Sequence, residues 1–374
     1  MGGRGALAAR SEEAHAPLAR HPQDFAFPMT SAPPSRARRW IRRGASVLSL
    51  AAGLAAACFL LHVYRAESPV EPAPISNGPV PAGASLRVLA YNVQLLPGLA
   101  DAVAARVGEA AYRAGRIGEI AAAYDVVGLC EVFDTDRRAD LIVAVERAAP
   151  GRFAIVRAPK PSGYVTGSGL LLLSRLPVEQ WHLHTFEHAA RFAEFGLRAD
   201  GFAAKGILHA RLRHGSGIRI DCFVTHLDSK SDPARARQVE AVARFVAEHT
   251  TPEAPALLLG DFNVNADVPP VPLPAEPATP YVGMLRVLSG SGRVFSDAWT
   301  VLEDGPGVTN DPTGSRKGTR KDYVFVSAGK CLFAPAKIRV LPHLDERVPG
   351  GSLSDHAAVE CEIRLDPGSD GAGS

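Results

Sequence analysis

Polar side chains of a few types recur where apolar, strand-like runs of this sequence end. They lie at the predicted carboxyl ends of buried strands and are all Asn, Asp, Glu or His: Asn92, Glu131, His226, Asp261, Asn263, Asp322, Asp355 and His356. Side chains just past the ends of neighbouring strands converge at one rim of a sheet, on a rigid platform. A single residue of this kind is usually a turn former, but the repeated pattern predicts one shared site.

The residue types indicate the chemistry of that site. Carboxylate and amide oxygens without thiolates suit a hard cation, chiefly Mg²⁺, with Mn²⁺ as an alternative. Two histidines beside them suit proton transfer near neutral pH. The sequence has no serine elbow, and its five cysteines show no CxxC spacing and are predicted to be small core residues. We therefore expect direct attack of water on a phosphorus ester.

The elements that must position these residues alternate between strand-like and helical patterns. Buried strands are predicted over 86–93, 125–132 and 256–261, and a helix over 232–249 begins with Pro233 in its first turn. Gly215-Ser216-Gly217 separates two further strand patterns and predicts a hairpin. A helix is also expected over 100–124 and a loop over 264–280. Because hairpins interrupt the alternation, the pattern favours an α/β protein with two packed sheets and outer helices.

The remaining segments divide the chain as follows. Composition predicts a disordered basic segment over 1–44, an apolar segment over 45–64, a Pro-rich spacer over 65–84, a catalytic domain over 85–366 and a disordered tail over 367–374.

The apolar segment has the length of a bilayer span. Arg42 and Arg43 precede it, which predicts a transmembrane anchor with a cytoplasmic N-terminus and a periplasmic or extracellular catalytic domain. A cleaved signal peptide, with secretion, and lipidation at Cys58 are the alternatives.

Six motifs in a fixed order resemble those of the endonuclease/exonuclease/phosphatase superfamily. They are Leu89-Ala90-Tyr91-Asn92-Val93, Leu129-Cys130-Glu131-Val132, Thr225-His226-Leu227, Gly260-Asp261-Phe262-Asn263, Lys321-Asp322-Tyr323-Val324-Phe325 and Ser354-Asp355-His356. The resemblance covers nearly all of residues 86–365. It implies a DNase I-like fold, a four-layer α/β/β/α sandwich, which agrees with the pattern of elements.

The resemblance also implies a role for each residue. Glu131 would be the principal Mg²⁺ ligand, assisted by Asn92. His356 would be the general base that activates water, oriented by Asp322, with Asp355 supporting His356 or reaching the metal. The remaining three are implied to act on the nucleophile and the phosphate. Asp261 and Asn263 would position both, and His226 would bind the phosphate and protonate the leaving group.

Within the superfamily, one segment is similar to neutral and bacterial sphingomyelinases. Asp200-Gly201-Phe202-Ala203-Ala204-Lys205-Gly206 matches their D-x-x-x-x-K-G pattern, whose aspartate and lysine form a switch that readies the site. A lysine near a phosphate also offsets negative charge that develops in the transition state. This resemblance implies hydrolysis of sphingomyelin, or a related phospholipid, to ceramide and phosphocholine at a membrane. Apolar residues between 186 and 202 are expected to contact either the membrane or the core: Phe186, Phe192, Phe195, Leu197 and Phe202.

Other functions remain open from the residues alone. The formal net charge is only +2, so no nucleic-acid partner is expected, although a metal-dependent nuclease would share the site. An inositol-phosphate or nucleotide phosphatase would need a cationic pocket, for which the candidates are Arg316, Lys317, Arg320 and Lys321. A membrane-tethered binding module with an inactive site is the alternative outside enzymes. The sequence does not indicate an oligomeric state.

Overall fold

The computed structural model describes residues 36–76, 80–81, 85–98, 109–267, 273, 276–315 and 317–366, and over 36–46 it describes the backbone alone. The predicted disordered tail over 367–374, residues 1–35 of the segment predicted as disordered over 1–44, and the first part of the helix predicted over 100–124 lie outside these residues. Residues 36–44, also predicted as disordered, are helical. The chain divides into two compact units, Met1–Ala57 and Cys58–Ser374. All residues of the predicted site belong to the second unit.

Helix α1 (Arg36–Tyr64) contains the predicted apolar segment. Its stretch Val47–Tyr64 has 18 residues with a mean hydropathy of 2.0, and none of that stretch is buried. A helix of this length and composition is able to cross a membrane, and a signal sequence has the same character. That α1 spans a bilayer therefore stays a prediction.

The Pro-rich segment after α1, predicted as a spacer over 65–84, lies along the catalytic domain over residues 65–76. Glu67 forms an ion pair with Arg138 at 3.2 Å, and its backbone N–H donates to the carbonyl of Lys160 at 2.8 Å. Further along, Trp181 Nε1 donates to Glu71 Oε2 at 3.0 Å. Prolines keep the segment extended, and its peptide and charged groups find partners on the domain surface.

Two six-stranded mixed sheets form the centre of the domain. The first has the order β11-β12-β1-β2-β4-β3, with β1 (Leu86–Leu95), β2 (Val126–Val132), β3 (Ala154–Arg157), β4 (Leu171–Ser174), β11 (Leu332–Leu341) and β12 (Ala358–Asp366). The second has the order β5-β6-β7-β8-β10-β9, with β5 (Val178–Thr185), β6 (Gly206–Arg213), β7 (Arg219–His226), β8 (Ala256–Asp261), β9 (Ser296–Asp297) and β10 (Asp322–Ser327). The pairs β1–β2 and β7–β8 are parallel, and the others are antiparallel.

Helices cover the outer faces of both sheets. They are α2 (Ala110–Ala121) and α3 (Thr135–Ala148) on the first sheet, and α5 (Asp232–His249) and α6 (Pro280–Ser289) on the second. The one-turn α4 (Phe192–Phe195) buries no residue, and the short α7 (Ala298–Leu302) packs against the core between the sheets. On the first sheet, Ile117 and Leu141 of α2 and α3 pack with Leu129. On the second, Val242 and Phe245 of α5 pack with strand residues of that sheet. These layers confirm the predicted α/β/β/α arrangement.

The core between the sheets comes from the strand residues that alternate inward. Val88 and Cys130 of the first sheet pack with Val224 and Leu259 of the second. A Cβ atom at Gly128 would lie 3.0 Å from Val224 Cγ2 and 3.2 Å from Leu259 Cβ, which is tighter than ordinary packing. The sheets therefore approach closely here because residue 128 lacks a side chain. This contact lies three residues before Glu131, close to the rim where the site forms.

Candidate active site

The predicted site residues meet at one rim, where both sheets end. Asn92, Glu131, His226 and Asp261 lie at or near the carboxyl ends of β1, β2, β7 and β8, as predicted. Asp322 instead begins β10, and Asp355 and His356 precede β12, so the prediction that all lie at carboxyl ends is wrong for these three. Because β10 pairs antiparallel with β8, in a register that places Asp322 opposite Asp261, its amino end reaches the same rim. β12 is likewise antiparallel to β1.

Two carboxylates and an amide form the centre of the site. Asn92 Nδ2 donates to Glu131 Oε1 and to Asp261 Oδ2, both at 3.0 Å. Glu131 has a φ of 60°, a left-handed conformation that is uncommon for a residue with a side chain. Gly169 packs against it, since a Cβ there would lie 3.1 Å from Glu131 Cα and 2.8 Å from Phe133 Cδ1. The strained backbone turns the Glu131 carboxylate into the rim.

Backbone geometry also fixes Asp261. The preceding residue, Gly260, has a φ of 135°, and a Cβ there would lie 1.9 Å from the carbonyl oxygen of Thr225, so only glycine fits beside β7. Beyond it, the backbone N–H of Asn263 donates to Asp261 Oδ1 at 2.8 Å, and Asn263 Nδ2 donates to the Leu227 carbonyl at 3.1 Å. Asp261 and Asn263 are therefore held by the chain on either side of them.

The buried carboxylates favour a bound cation. Burial, followed by the negative charge of Asp355, raises the pKa of Glu131 to about 7, although the bond from Asn92 lowers it. Ligand atoms of Glu131, His226 and Asp261 all lie within 4.8 Å of one another. Oxygen-rich clusters of this kind suit hard divalent cations. The residues present therefore fit a Mg²⁺ ion, which when bound would polarise a phosphoryl oxygen and offset negative charge.

A histidine–carboxylate pair faces this cluster. His356 Nδ1 lies 2.7 Å from Asp322 Oδ2, and His356 Nε2 lies 3.9 Å from Asp261 Oδ2. The Asp322 carboxylate therefore holds the proton on Nδ1 and turns Nε2 towards Asp261. Burial lowers the pKa of His356, but the charges of Asp322, Asp261 and Asp355 outweigh it and raise this pKa well above its usual range.

A buried ion pair lies on the other side of His226. Lys205 Nζ is 2.8 Å from Asp200 Oδ2 and donates to His226 Nε2 at 3.0 Å and to the Leu227 carbonyl at 2.7 Å. Burial and the Lys205 charge lower the pKa of His226 to about 3, so its ring is neutral. Burial would raise the pKa of Asp200, but Lys205 outweighs it and the pKa falls below its usual range. The structure thus joins the predicted aspartate and lysine directly.

Some residues of the site were not found from the sequence. Ser354 Oγ donates to the Asn92 carbonyl at 2.6 Å and accepts from the His356 backbone N–H at 3.2 Å, so it fastens the histidine turn to β1. Ser354 is part of the Ser354-Asp355-His356 motif, so the sequence did contain a signal for this residue. Thr309 Oγ1 accepts from the Asp322 backbone N–H at 3.2 Å, and no motif indicated that residue.

The cationic pocket proposed for a phosphatase is wrong for one of its members. Arg320 is buried, its Nη1 lies 2.7 Å from Asp297 Oδ2, and its guanidinium lies over the ring of Tyr323. Because the Arg320 guanidinium is paired with Asp297 inside the core, it is not available to a substrate phosphate. Lys317 is exposed and Lys321 is half-buried, while residue 316 lies outside the described residues.

Comparison with known proteins identifies the family. The profile of the Endonuclease/Exonuclease/phosphatase family matches residues 89–356, which include every residue of the rim. The chain therefore belongs to this family of hydrolases. Among curated proteins, the inositol phosphosphingolipids phospholipase C of Schizosaccharomyces pombe is 26% identical over 234 residues. That match covers 54% of this chain and 53% of the relative, so the chain spans about half the length of the curated relative that it matches.

Solved structures share the fold. Sphingomyelinase C from Streptomyces griseocarneus has a TM-score of 0.53 and 22% identity, over 74% of this chain and 99% of its own. Beta toxin from Staphylococcus aureus has a TM-score of 0.57 and 20% identity, over 74% and 99% of the two chains. A mutant of that toxin with bound magnesium ions has a TM-score of 0.52 at the same identity and coverage. At these identities the likeness establishes the DNase I-like fold and nothing finer.

Proposed function

We propose that this chain is a Mg²⁺-dependent phosphodiesterase that hydrolyses sphingomyelin, or a related phospholipid, to ceramide and phosphocholine by attack of water on phosphorus. The observation that carries the proposal is the His356–Asp322 pair, whose free nitrogen faces the carboxylate of Asp261 across 3.9 Å. A base opposite a cluster of hard ligands is the arrangement that metal-assisted hydrolysis requires. The named activities of the phospholipase C relative and of sphingomyelinase C support a phospholipid substrate.

The proposed roles follow from the contacts. A bound cation would offset the carboxylate charges that raise the pKa of His356 and so favour its neutral ring. In that form His356 takes a proton from the attacking water through Nε2, and Asp322 holds its tautomer and stabilises the imidazolium that forms. Glu131 and Asn92 would hold Mg²⁺, with Mn²⁺ as a substitute, and the magnesium ions bound to a beta toxin mutant support this choice. Asp355, whose charge raises the pKa of both Glu131 and His356, is proposed to support His356 or to reach the metal.

The phosphate is proposed to contact the opposite side of the site. His226 Nε2 lies 3.7 Å from both Glu131 Oε1 and Asp261 Oδ2, and so faces the position of a phosphate held between them. Lys205 brings a positive charge to within 3.0 Å of that nitrogen. Because His226 Nε2 accepts from Lys205, the proton that His226 is proposed to give to the leaving group would come from the Lys205 ammonium, which is left as the neutral amine. Asp261 and Asn263 are proposed to position the nucleophile and the phosphate.

Hydrogen bonds between the last turn of α1 and the catalytic domain support a substrate that lies in a membrane. Lys160 Nζ donates to the Val63 carbonyl at 3.0 Å, and Ser162 Oγ donates to the Tyr64 carbonyl at 3.1 Å. The same loop donates from the Val165 backbone N–H to the Phe202 carbonyl at 2.9 Å. The last turn of the apolar helix is thus linked through residues 160–165 to the segment that carries Asp200 and Lys205. We propose that α1 anchors the domain, with its N-terminus cytoplasmic and its site at the opposite membrane surface.

Apolar residues of that segment divide between core and surface. Phe186 is buried in the outer core, whereas Phe192 and Leu197 are 61% and 89% exposed. The rings of Phe192 and Phe202 lie in edge contact, which continues the apolar surface towards the helix end. We propose that Phe192 and Leu197 enter the membrane interface, where burial of such side chains is favourable. A formal net charge of only +2 and this apolar surface favour lipid over nucleic acid as the partner.

The experiment compares substrates with the full-length chain in mixed micelles containing Mg²⁺. Release of phosphocholine from sphingomyelin is followed beside phosphatidylcholine, an inositol phosphosphingolipid, bis-nitrophenyl phosphate, inositol phosphates and plasmid DNA. We expect selective cleavage of a sphingolipid that EDTA abolishes, Mg²⁺ restores and His356→Ala lacks. Preferential cleavage of DNA or of inositol phosphates would leave the family in place and refute the lipid assignment. Absence of all turnover under these conditions would favour a binding module.

A further inference from the structure

Three histidines meet on the helical side of the second sheet, away from the rim. His182 on β5 and His209 on β6 are opposite each other in register, and His249 ends α5 above them. The ring centroids of His182 lie 5.5 Å from His209 and 4.3 Å from His249, and the His209 and His249 centroids are 5.5 Å apart. His209 pairs with Phe223, three residues before His226 on β7, which places the cluster about 10 Å along the strand from the rim.

The hydrogen bonds of the cluster decide which ring nitrogens are free. Asp221 Oδ1, which is fully buried, accepts from His209 Nε2 at 2.9 Å, so the lone pair of His209 is on Nδ1. The Phe245 carbonyl accepts from His249 Nδ1 at 2.9 Å, so the lone pair of His249 is on Nε2. A carboxylate or carbonyl that fixes the second nitrogen of a histidine is the arrangement found around metal-ligating histidines. Burial lowers the pKa of His209, which keeps its ring neutral.

The two facing nitrogens have the separation of ligands on one metal ion. His182 Nδ1 and His209 Nδ1 are 3.3 Å apart. Two nitrogens bound tetrahedrally to zinc at 2.0–2.1 Å are separated by about 3.3 Å. Here His182 Nδ1–H donates to His209 Nδ1, and transfer of that proton to His182 Nε2 by a change of tautomer would leave a lone pair on each of the two facing Nδ1 atoms. Among the described residues, triads with all ligand atoms within 4.8 Å occur only at the rim, so His249 would have to shift to supply a third nitrogen.

We propose that His182, His209 and His249 form a second metal site, for a borderline-soft divalent ion of the Zn²⁺ class, that is separate from the proposed Mg²⁺ site. Imidazole nitrogens favour such ions, whereas carboxylate oxygens at the rim favour Mg²⁺. The ion bridges the edge strand β5, β6 and the end of α5, and so fastens the helix to the sheet. It enters through His182, whose ring is exposed.

The charges around the cluster permit a cation. The nearest positive group is the Arg211 guanidinium, which also donates to the His249 carbonyl at 2.9 Å. Arg211 Nε lies 2.8 Å from Asp221 Oδ1, the same carboxylate that fixes His209. This carboxylate therefore offsets the charge of Arg211. The imidazoles therefore lie next to one balanced ion pair, so no unpaired positive charge of Arg211 opposes a divalent ion there.

The test is Zn²⁺ binding to the full-length chain in detergent with Mg²⁺ in large excess, followed by calorimetry and by the melting temperature. We expect one Zn²⁺ that binds in both the native chain and Glu131→Gln, which removes the main ligand at the rim. That Zn²⁺ should raise the melting temperature, and its affinity should fall at least tenfold in His182→Ala and in His249→Ala. The matched control is His188→Ala, an exposed histidine just after β5, which should bind Zn²⁺ as the native chain does.

Spectroscopy gives a readout that is independent of stability. Co²⁺ in place of Zn²⁺ should show the visible absorption of a tetrahedral nitrogen site in Glu131→Gln, and His182→Ala should lose it. Zn²⁺ binding that disappears in Glu131→Gln, or that is unchanged in both histidine variants, would overturn the proposal. Because none of these readouts measures hydrolysis, failure of the metal site and failure of the proposed phosphodiesterase activity are distinguishable.

Discussion

Asn92 on β1 and Asp261 on β8 belong to different sheets, and a hydrogen bond of 3.0 Å between Nδ2 and Oδ2 joins them. The same Nδ2 reaches Glu131 on the strand next to β1. One amide thus bridges the half-buried carboxylate of Glu131 and the buried carboxylate of Asp261, and it connects the two halves of the sandwich at the rim. The site depends on how the sheets stack as well as on the strands themselves.

We expect Asn92→Ala to weaken Mg²⁺ activation. Loss of the amide removes a proposed metal contact and the bond that lowers the pKa of Glu131, so Glu131 keeps its proton to higher pH. The Mg²⁺ concentration for half-maximal activity should rise by about 10–100-fold, as for other groups that support a metal ligand. Asn265→Ala, at an exposed asparagine beyond β8, is the control and should leave the Mg²⁺ dependence unchanged.

The His356–Asp322 pair should control kcat more than KM. We expect His356→Ala to reduce kcat by about 10²–10⁴-fold, the usual contribution of a general base. Asp322→Asn should also reduce kcat strongly, because an amide no longer favours the tautomer with a free Nε2. Asp304→Asn changes an exposed carboxylate and serves as the control. A kcat for Asp322→Asn within twofold of the native value would contradict the orienting role.

The same pair predicts a pH dependence of stability without metal. Burial is the largest single influence on the pKa of His356 and lowers it. The neighbouring carboxylates together outweigh burial and raise this pKa. Protonated His356 therefore stabilises the fold fully below its unfolded pKa of about 6.5, and this stabilisation is lost as the pH rises through the higher folded pKa. In EDTA, the difference in melting temperature between native protein and His356→Gln should shrink as the pH rises above about 6.5. A difference that widens with pH would refute the assigned direction.

Lys205 and Asp200 should be strongly coupled in stability. Their side chains are only 4% and 17% exposed, so removal of the ammonium leaves a poorly solvated carboxylate. We expect Lys205→Met to cost about 3–5 kcal/mol in the free energy of unfolding, the usual cost of breaking a buried pair. Asp200→Asn combined with Lys205→Met should recover part of it. Urea denaturation of the four proteins gives the coupling energy, and additive effects would show that the pair is not coupled.

The exposed apolar residues should matter only when the substrate is in a bilayer. Burial of a leucine side chain is worth about 1.5–3 kcal/mol, so Leu197→Asp should reduce activity on sphingomyelin vesicles by about 10–100-fold. Hydrolysis of soluble bis-nitrophenyl phosphate should be unchanged, because Leu197 is outside the rim. Val294→Asp is the matched control, since Val294 is 78% exposed on the turn before β9. Equal losses on both substrates would indicate damage to the fold instead of lost membrane contact.

Much of the fold and site could be predicted from the sequence because their signals are local. Apolar runs of strand length, the Gly215–Gly217 turn and Pro233 at a helix start each act over a few residues. The motifs around Asn92, Glu131, Asp261 and His356 identified the site residues and, through the family, their order along the chain. Strand β5 was not predicted, because its largely half-exposed residues include two histidines and lack a continuous apolar run.

Only the tertiary structure decided which of these residues touch. The antiparallel register of β10 against β8 brings Asp322 to the rim from the beginning of its strand, and strand patterns in the sequence carry no pairing register. The tertiary structure also decided that Arg320 forms an ion pair with Asp297, that Lys205 is buried beside Asp200, and that residues 65–76 lie against the domain. These outcomes depend on packing between segments that are distant in the chain. Burial there shifts the pKa of a side chain and determines which groups it pairs with.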